Sequence, residues 1–151
     1  MTKQISNSLA ETQKIAGDFI EKVEPKKDEA TVVGLYGNLG AGKTTFTQCV
    51  AKALSVDETV TSPTFVIEKI YGIVASSQYP VARFKNLIHI DAYRIEKPKE
   101  LEVLGWEEII SDPTNLILVE WPERIADIMP EHIKVNLDHI SENSREIEIL
   151  E

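Results

Sequence analysis

A lysine and a hydroxyl placed directly behind a run of glycines can hold phosphate. This 151-residue chain carries them in Gly37-Asn38-Leu39-Gly40-Ala41-Gly42-Lys43-Thr44. The segment fits G-x-x-x-x-G-K-[ST] at every required position. Glycines let successive backbone N–H groups turn inward around an anion, and a helix starting behind them offers its positive end. In that arrangement Lys43 is a point charge for the β- and γ-phosphates, and the Thr44 hydroxyl is placed to hold Mg²⁺. Asn38, Leu39, Gly40, Ala41, Gly42, Lys43, Thr44 and Thr45 are therefore the candidate nucleotide-binding residues. With Gly at about 7% and Lys at roughly 6% of ordinary sequences, a chain this long meets the pattern by chance under about 1% of the time. A plain glycine-rich turn is thereby disfavoured.

A phosphate loop binds without hydrolysing well unless an acid holds the metal or orients water. Two apolar runs end in acids: Leu116-Ile117-Leu118-Val119-Glu120 and Leu87-Ile88-His89-Ile90-Asp91. Read as strands, both deliver a carboxylate to the C-terminal edge, where ligands sit in open α/β sheets. Period-two alternation puts His89, Asp91 and Tyr93 on one face and Ile88, Ile90 and Ala92 on the other. On spacing alone a solvated strand end stays open for both acids. Thr61-Ser62-Pro63-Thr64 reads either as a nucleotide-sensing loop or as a plain strand-entry turn. Trp121, beside Glu120, is by its pattern a core or rim aromatic, and Arg94 a solvated charge.

The elements that must position these residues follow from periodicity. Thr31-Val32-Val33-Gly34-Leu35-Tyr36 is a short β-branched strand leading into the loop, and Thr44 to Leu54 has helical spacing at Phe46, Val50, Ala53 and Leu54. Ser8-Leu9-Ala10-Glu11 forms a capping box that opens an amphipathic helix through Leu9, Ile15, Ala16, Phe19, Ile20 and Val23, stopped by Pro25. A strand is expected near Phe65 to Tyr71 and another at Leu87 to Asp91, with Gly72 to Asn86 as a long hairpin tip or insertion. Leu101 to Leu104 and Trp106 to Ile110 are short helical pieces. Pro122 ends the strand at Leu116 to Val119, and Ile125 to Met129 is a brief helix. Ile133 to Leu137 and Ile147 to Leu150 flank Ser141-Glu142-Asn143-Ser144 as an antiparallel hairpin.

Residues 1–151 read as one domain. The single cysteine, Cys49, is a buried inert thiol on the helix behind the loop. Net charge is −9. The acidity lies in residues 96–151, with 15 acids against 5 bases, whereas residues 31–95 hold 4 acids against 6 bases. Such a surface repels a phosphate backbone, so nucleic acid is reached only through a partner. No run of 18 apolar residues and no signal-peptide core occur, so a cytoplasmic protein without membrane contact is expected.

Gly37 to Thr45, Ser62-Pro63-Thr64-Phe65, His89-x-Asp91-x-Tyr93-Arg94, Leu101-x-x-Leu104-Gly105 and Glu120-Trp121-Pro122-Glu123 together resemble the TsaE (YjeE) family of bacterial ATPases. The resemblance runs from Ser8 to about Met129. It implies a P-loop NTPase-like three-layer α/β sandwich with a mostly parallel central sheet and antiparallel additions. It also implies an ATPase that uses ATP and Mg²⁺ to support a TsaB–TsaD pair in forming N6-threonylcarbamoyladenosine next to the tRNA anticodon. Carried over, Lys43, Asp91 and Glu120 become catalytic, Thr44 and Glu120 hold the metal, and Trp121 lies beside the nucleotide. Which of Asp91 and Glu120 positions the water is open.

The Gly72 to Asn86 segment is longer than the family's hairpin, so partner contacts there do not transfer. The start of the first helix, around Ser8 and Thr12, is the candidate adenine pocket. No N-K-x-D or T-K-x-D guanine reader occurs, which favours ATP over GTP. A small-molecule kinase is the enzyme alternative, although it commonly needs several arginines, and only Arg83, Arg94, Arg124 and Arg145 are present. A non-hydrolytic, ATP-loaded assembly factor is the alternative from another class.

Overall fold

The computed structural model describes residues 2–56, 60, 67–73 and 83–151. In chain order the elements are β1 (Thr2–Ser6), α1 (Leu9–Lys22), β2 (Thr31–Tyr36), α2 (Lys43–Ala53), β3 (Glu68–Gly72) and β4 (Asn86–Asp91). They continue with α3 (Lys99–Val103), α4 (Trp106–Ile110), β5 (Asn115–Glu120), a 3₁₀ helix (Pro122–Ile128), β6 (Ile133–His139) and β7 (Arg145–Leu150).

Among the described residues the strands form one seven-stranded sheet in the order β1-β7-β6-β2-β5-β4-β3. Its central strands β6, β2, β5 and β4 are parallel, while β3, β7 and β1 add antiparallel pairs at the edges. The antiparallel additions are therefore as extensive as the parallel centre. Every residue of β5 is buried, and β2 is buried up to Tyr36. That is the environment that β-branched and aliphatic runs such as Thr-Val-Val and Leu-Ile-Leu-Val favour.

Alternation along these strands splits the core in two. Val33, Leu35, Leu87, Leu116 and Leu118 pack with Ile15, Phe19, Phe46 and Val50 from α1 and α2. Val32, Ile88, Ile90, Ile117 and Val119 pack on the other face with Leu101, Trp106 and Ile125. Helices on both faces of a sheet make three layers.

Local chemistry sets the helix ends. Ser8 accepts from the Glu11 N–H at 3.1 Å, and the Glu11 carboxylate reaches back one residue further than a standard capping box, to the Asn7 N–H. At the other end Arg83 donates to Val23 O at 2.8 Å and Ile20 O at 2.9 Å, satisfying carbonyls at and just past the end of α1.

Most expected elements stand where periodicity put them. The strand expected near Phe65 to Tyr71 is Glu68–Gly72, and Phe65 itself lies outside the described residues. Of the Gly72 to Asn86 segment, the described ends continue the hairpin through an Ile73 N–H to Lys85 O bond of 2.8 Å. The strand β1 was not expected from sequence. Four of its five residues are exposed, so it has little apolar signal; its pairing with β7 and the bond from Ser6 to Thr12 hold it.

Candidate functional site

β2 ends at Tyr36, and the chain then turns through the phosphate loop into α2, whose N-cap is Gly42 at φ 102° and ψ 24°. Only glycine adopts that left-handed geometry without strain. At the loop entrance, a Cβ on Gly37 would stand 2.5 Å from Leu137 O, because β6 passes directly behind it. The loop is thus clamped between its own helix and the neighbouring strand.

Thr44, in the first turn of α2, points at β5. Its hydroxyl donates to the Glu120 carboxylate, with separations of 3.0 and 2.9 Å to the two oxygens. Glu120 is only 4% exposed, which removes the solvated strand-end reading. His89, fully buried on β4, places Nε2 2.5 Å from Glu120 Oε2, and its Nδ1 has no hydrogen-bond partner among the described residues. The ring therefore holds the carboxylate from one side while Thr44 holds it from the other.

The β4–β5 register pairs Asp91 with Glu120, so two carboxyl groups reach the same sheet edge. Asp91 Oδ1 accepts from the Tyr93 N–H at 3.0 Å. Burial, reinforced by Glu120, raises the Asp91 pKa against the opposing pull of the Tyr93 N–H, His89 and Lys43.

Lys43 is 5% exposed. Its ammonium donates to the Gly37 and Asn38 carbonyls and lies 4.0 Å from the Trp121 ring centroid. Burial lowers its pKa, and Glu120, Glu123 and Asp91 oppose that shift. Trp121 sits at φ 58° and ψ 50°, a left-handed backbone that costs a non-glycine residue about 1–2 kcal/mol. The turn aims the indole back over the loop, with its ring 5.0 Å from that of Tyr93.

These groups enclose a cavity of about 630 Å³ lined by Leu39, Gly40, Gly42, Lys43, Thr44, Thr45, Asp91, Glu120 and Trp121. Asn38 and Ala41 are not part of the lining: the Asn38 carbonyl receives the Ala41 N–H at 3.0 Å, and Ala41 is buried whereas Asn38 is exposed. Ser8 is taken up by the helix cap. Thr12 is 2% exposed and shares a 2.7 Å hydrogen bond with Ser6. Neither lines the cavity. The Thr61 to Thr64 turn lies outside the described residues.

Ile67, Tyr93, Arg94 and Arg145 complete the lining. Sequence reasoning gave Arg145 no role, and no local pattern marks it; only the strand order brings β7 to the loop.

Thr44 and Glu120 are hard oxygen donors within 3.0 Å of each other, a set that suits Mg²⁺ when phosphates supply further oxygens. Among the described residues no group of three His, Cys, Asp or Glu could hold a metal ion. No helix among them is long and apolar enough to cross a membrane.

A parallel sheet with a Gly-Lys-Thr loop behind its central strand and an acid at the end of the next defines the P-loop class of α/β proteins. The chain matches the family described as "Threonylcarbamoyl adenosine biosynthesis protein TsaE" over residues 6–147, and it belongs to the TsaE family. It is 38% identical over 141 residues to the "tRNA threonylcarbamoyladenosine biosynthesis protein TsaE" of Rickettsia prowazekii, covering 92% of this chain and 88% of that one. The protein of the same name from Haemophilus influenzae is 34% identical over 124 residues, covering 82% and 72%. The crystal structure of Bacillus subtilis YdiB superposes with a TM-score of 0.72 at 29% identity, covering 97% of this chain and 82% of that one.

Proposed function

We propose that this protein binds ATP with Mg²⁺ in the phosphate loop and hydrolyses it in the cytoplasm. In this reading hydrolysis supports a TsaB-like and TsaD-like pair that forms N6-threonylcarbamoyladenosine next to the tRNA anticodon. The observation that carries the reading is the Thr44 to Glu120 contact, which brings a strand-end carboxylate onto the loop hydroxyl. The names of the relatives point to the pathway. The acidic C-terminal third supports an indirect approach to tRNA, through the partner pair.

Lys43 leaves the Gly37 and Asn38 carbonyls for the β- and γ-phosphates. Thr44 and Glu120 would hold Mg²⁺, which supplies charge neutralisation at the phosphates when bound. His89 keeps the Glu120 carboxylate turned toward Thr44. Asp91, one strand over and with a raised pKa, accepts a hydrogen bond from the attacking water and orients it.

The test is phosphate release from ATP and from GTP by the purified protein, alone and with its species-matched TsaB–TsaD pair. ATP hydrolysis that rises sharply with the pair is expected. No stimulation would turn the reading toward a kinase or a static ATP-loaded factor.

A further inference from the structure

Arg145 opens β7, opposite His139 on β6 and Ser6 on β1. From there its side chain lies across the phosphate loop. A Cβ built on Gly42 would stand 1.9 Å from Arg145 Nη1 and 3.0 Å from its Cζ, so the guanidinium fills the space a side chain at Gly42 would take. The group lines the cavity.

Nη1 is buried and has no hydrogen-bond partner among the described residues. None of the ion pairs among those residues includes Arg145, and the carboxylate next to it in sequence, Glu146, pairs with Lys3 at 3.5 Å. A guanidinium does not shed its proton, and a buried N–H without an acceptor is costly. An unused cationic donor therefore sits against the glycine whose loop turns its own N–H groups on an anion.

We propose that Arg145 is a second cation for the phosphates of the bound nucleotide, working opposite Lys43; this contact rests on the nucleotide reading of the cavity. Stacking of the guanidinium on the base would leave Nη1 still without an acceptor, whereas a phosphate oxygen supplies one. Strand β7 thereby brings a residue from the far end of the chain into the site.

The experiment is calorimetric titration of the full-length protein and its Arg145→Met and Arg145→Lys variants with tripolyphosphate, ATP and adenosine. Arg145→Met is expected to weaken tripolyphosphate and ATP by roughly ten- to a hundredfold, with adenosine unchanged. Arg145→Lys keeps the charge and loses the fork, so it should fall between Met and wild type. Wild-type affinity for tripolyphosphate in Arg145→Met overturns the proposal, and so does a loss confined to adenosine. If the Met variant melts well below wild type, the Lys variant decides: weaker tripolyphosphate binding supports the contact and unchanged binding overturns it. A wild-type protein that binds neither ATP nor tripolyphosphate overturns the nucleotide reading itself. An Arg145→Met protein with wild-type affinities removes only Arg145.

Discussion

The ammonium of Lys43 lies 4.0 Å from the centroid of the Trp121 ring, so the cation meant for phosphate and the indole at the end of β5 share one small volume. Anything that draws Lys43 toward phosphates changes what the indole faces. Trp121 emission should therefore shift when ATP is added. Trp106 is fully buried, donates its indole N–H to Ile128 O at 3.2 Å and does not line the cavity, so its emission should stay constant. A Trp106→Phe protein whose emission ignores ATP would take Trp121 out of the site.

Lys43→Ala removes the loop's point charge while leaving its backbone N–H groups. ATP binding should fall at least a hundredfold, and tRNA modification should be lost with it. A variant that still supports modification would contradict the assignment of the site.

His89 touches Glu120 and no ligand position, so it acts by positioning. His89→Asn shortens the reach and leaves a buried carboxylate with one partner fewer, at a cost of about 2 kcal/mol in stability. Turnover with the partner pair should drop roughly tenfold or more while the KM for ATP changes little. Equal losses in binding and turnover would show that His89 merely props the fold.

Asp91 ties stability to pH. Its pKa is raised above the ordinary 3.8, chiefly by burial, so in the window just above 3.8 the folded chain keeps a proton that the unfolded chain releases. The stability contributed by the protonated form is fully present below 3.8 and is lost as pH rises through the folded value. Above that, the ionised carboxylate weighs against folding. Asp91→Asn should raise Tm by roughly 2–4 °C at neutral pH, the size of a 1 kcal/mol change in a domain of this length, and abolish hydrolysis. Below pH 3.8 the gain should vanish. A lower Tm at pH 7 would contradict the sign.

The parts of the site that sequence made legible are those whose chemistry demands a local pattern. Gly42, Lys43 and Thr44 must be adjacent for a loop to grip phosphate, and Glu120 and Asp91 each end an apolar strand. Their meeting was an inference from how parallel strands present their ends, and the register of β4 with β5 realises it. His89 stood in the motif without a role, because its partner lies 31 residues away. Arg145 was not legible at all: a charged residue at the start of an alternating strand is ordinary, and only its placement beside Gly42 gives it meaning. β1 escaped for the opposite reason, since its exposed polar residues carry no burial signal and its stability is borrowed from β7.

That last pairing has a consequence in time. Of the strands in the sheet, β1 leaves the ribosome before all others, yet its strand partner among the described residues is β7, which leaves after all others. At about 5–20 residues per second, the wait is on the order of ten seconds or more. A strand left unpaired that long invites association with other nascent chains, and the polar sequence Thr2-Lys3-Gln4 is what makes the delay tolerable.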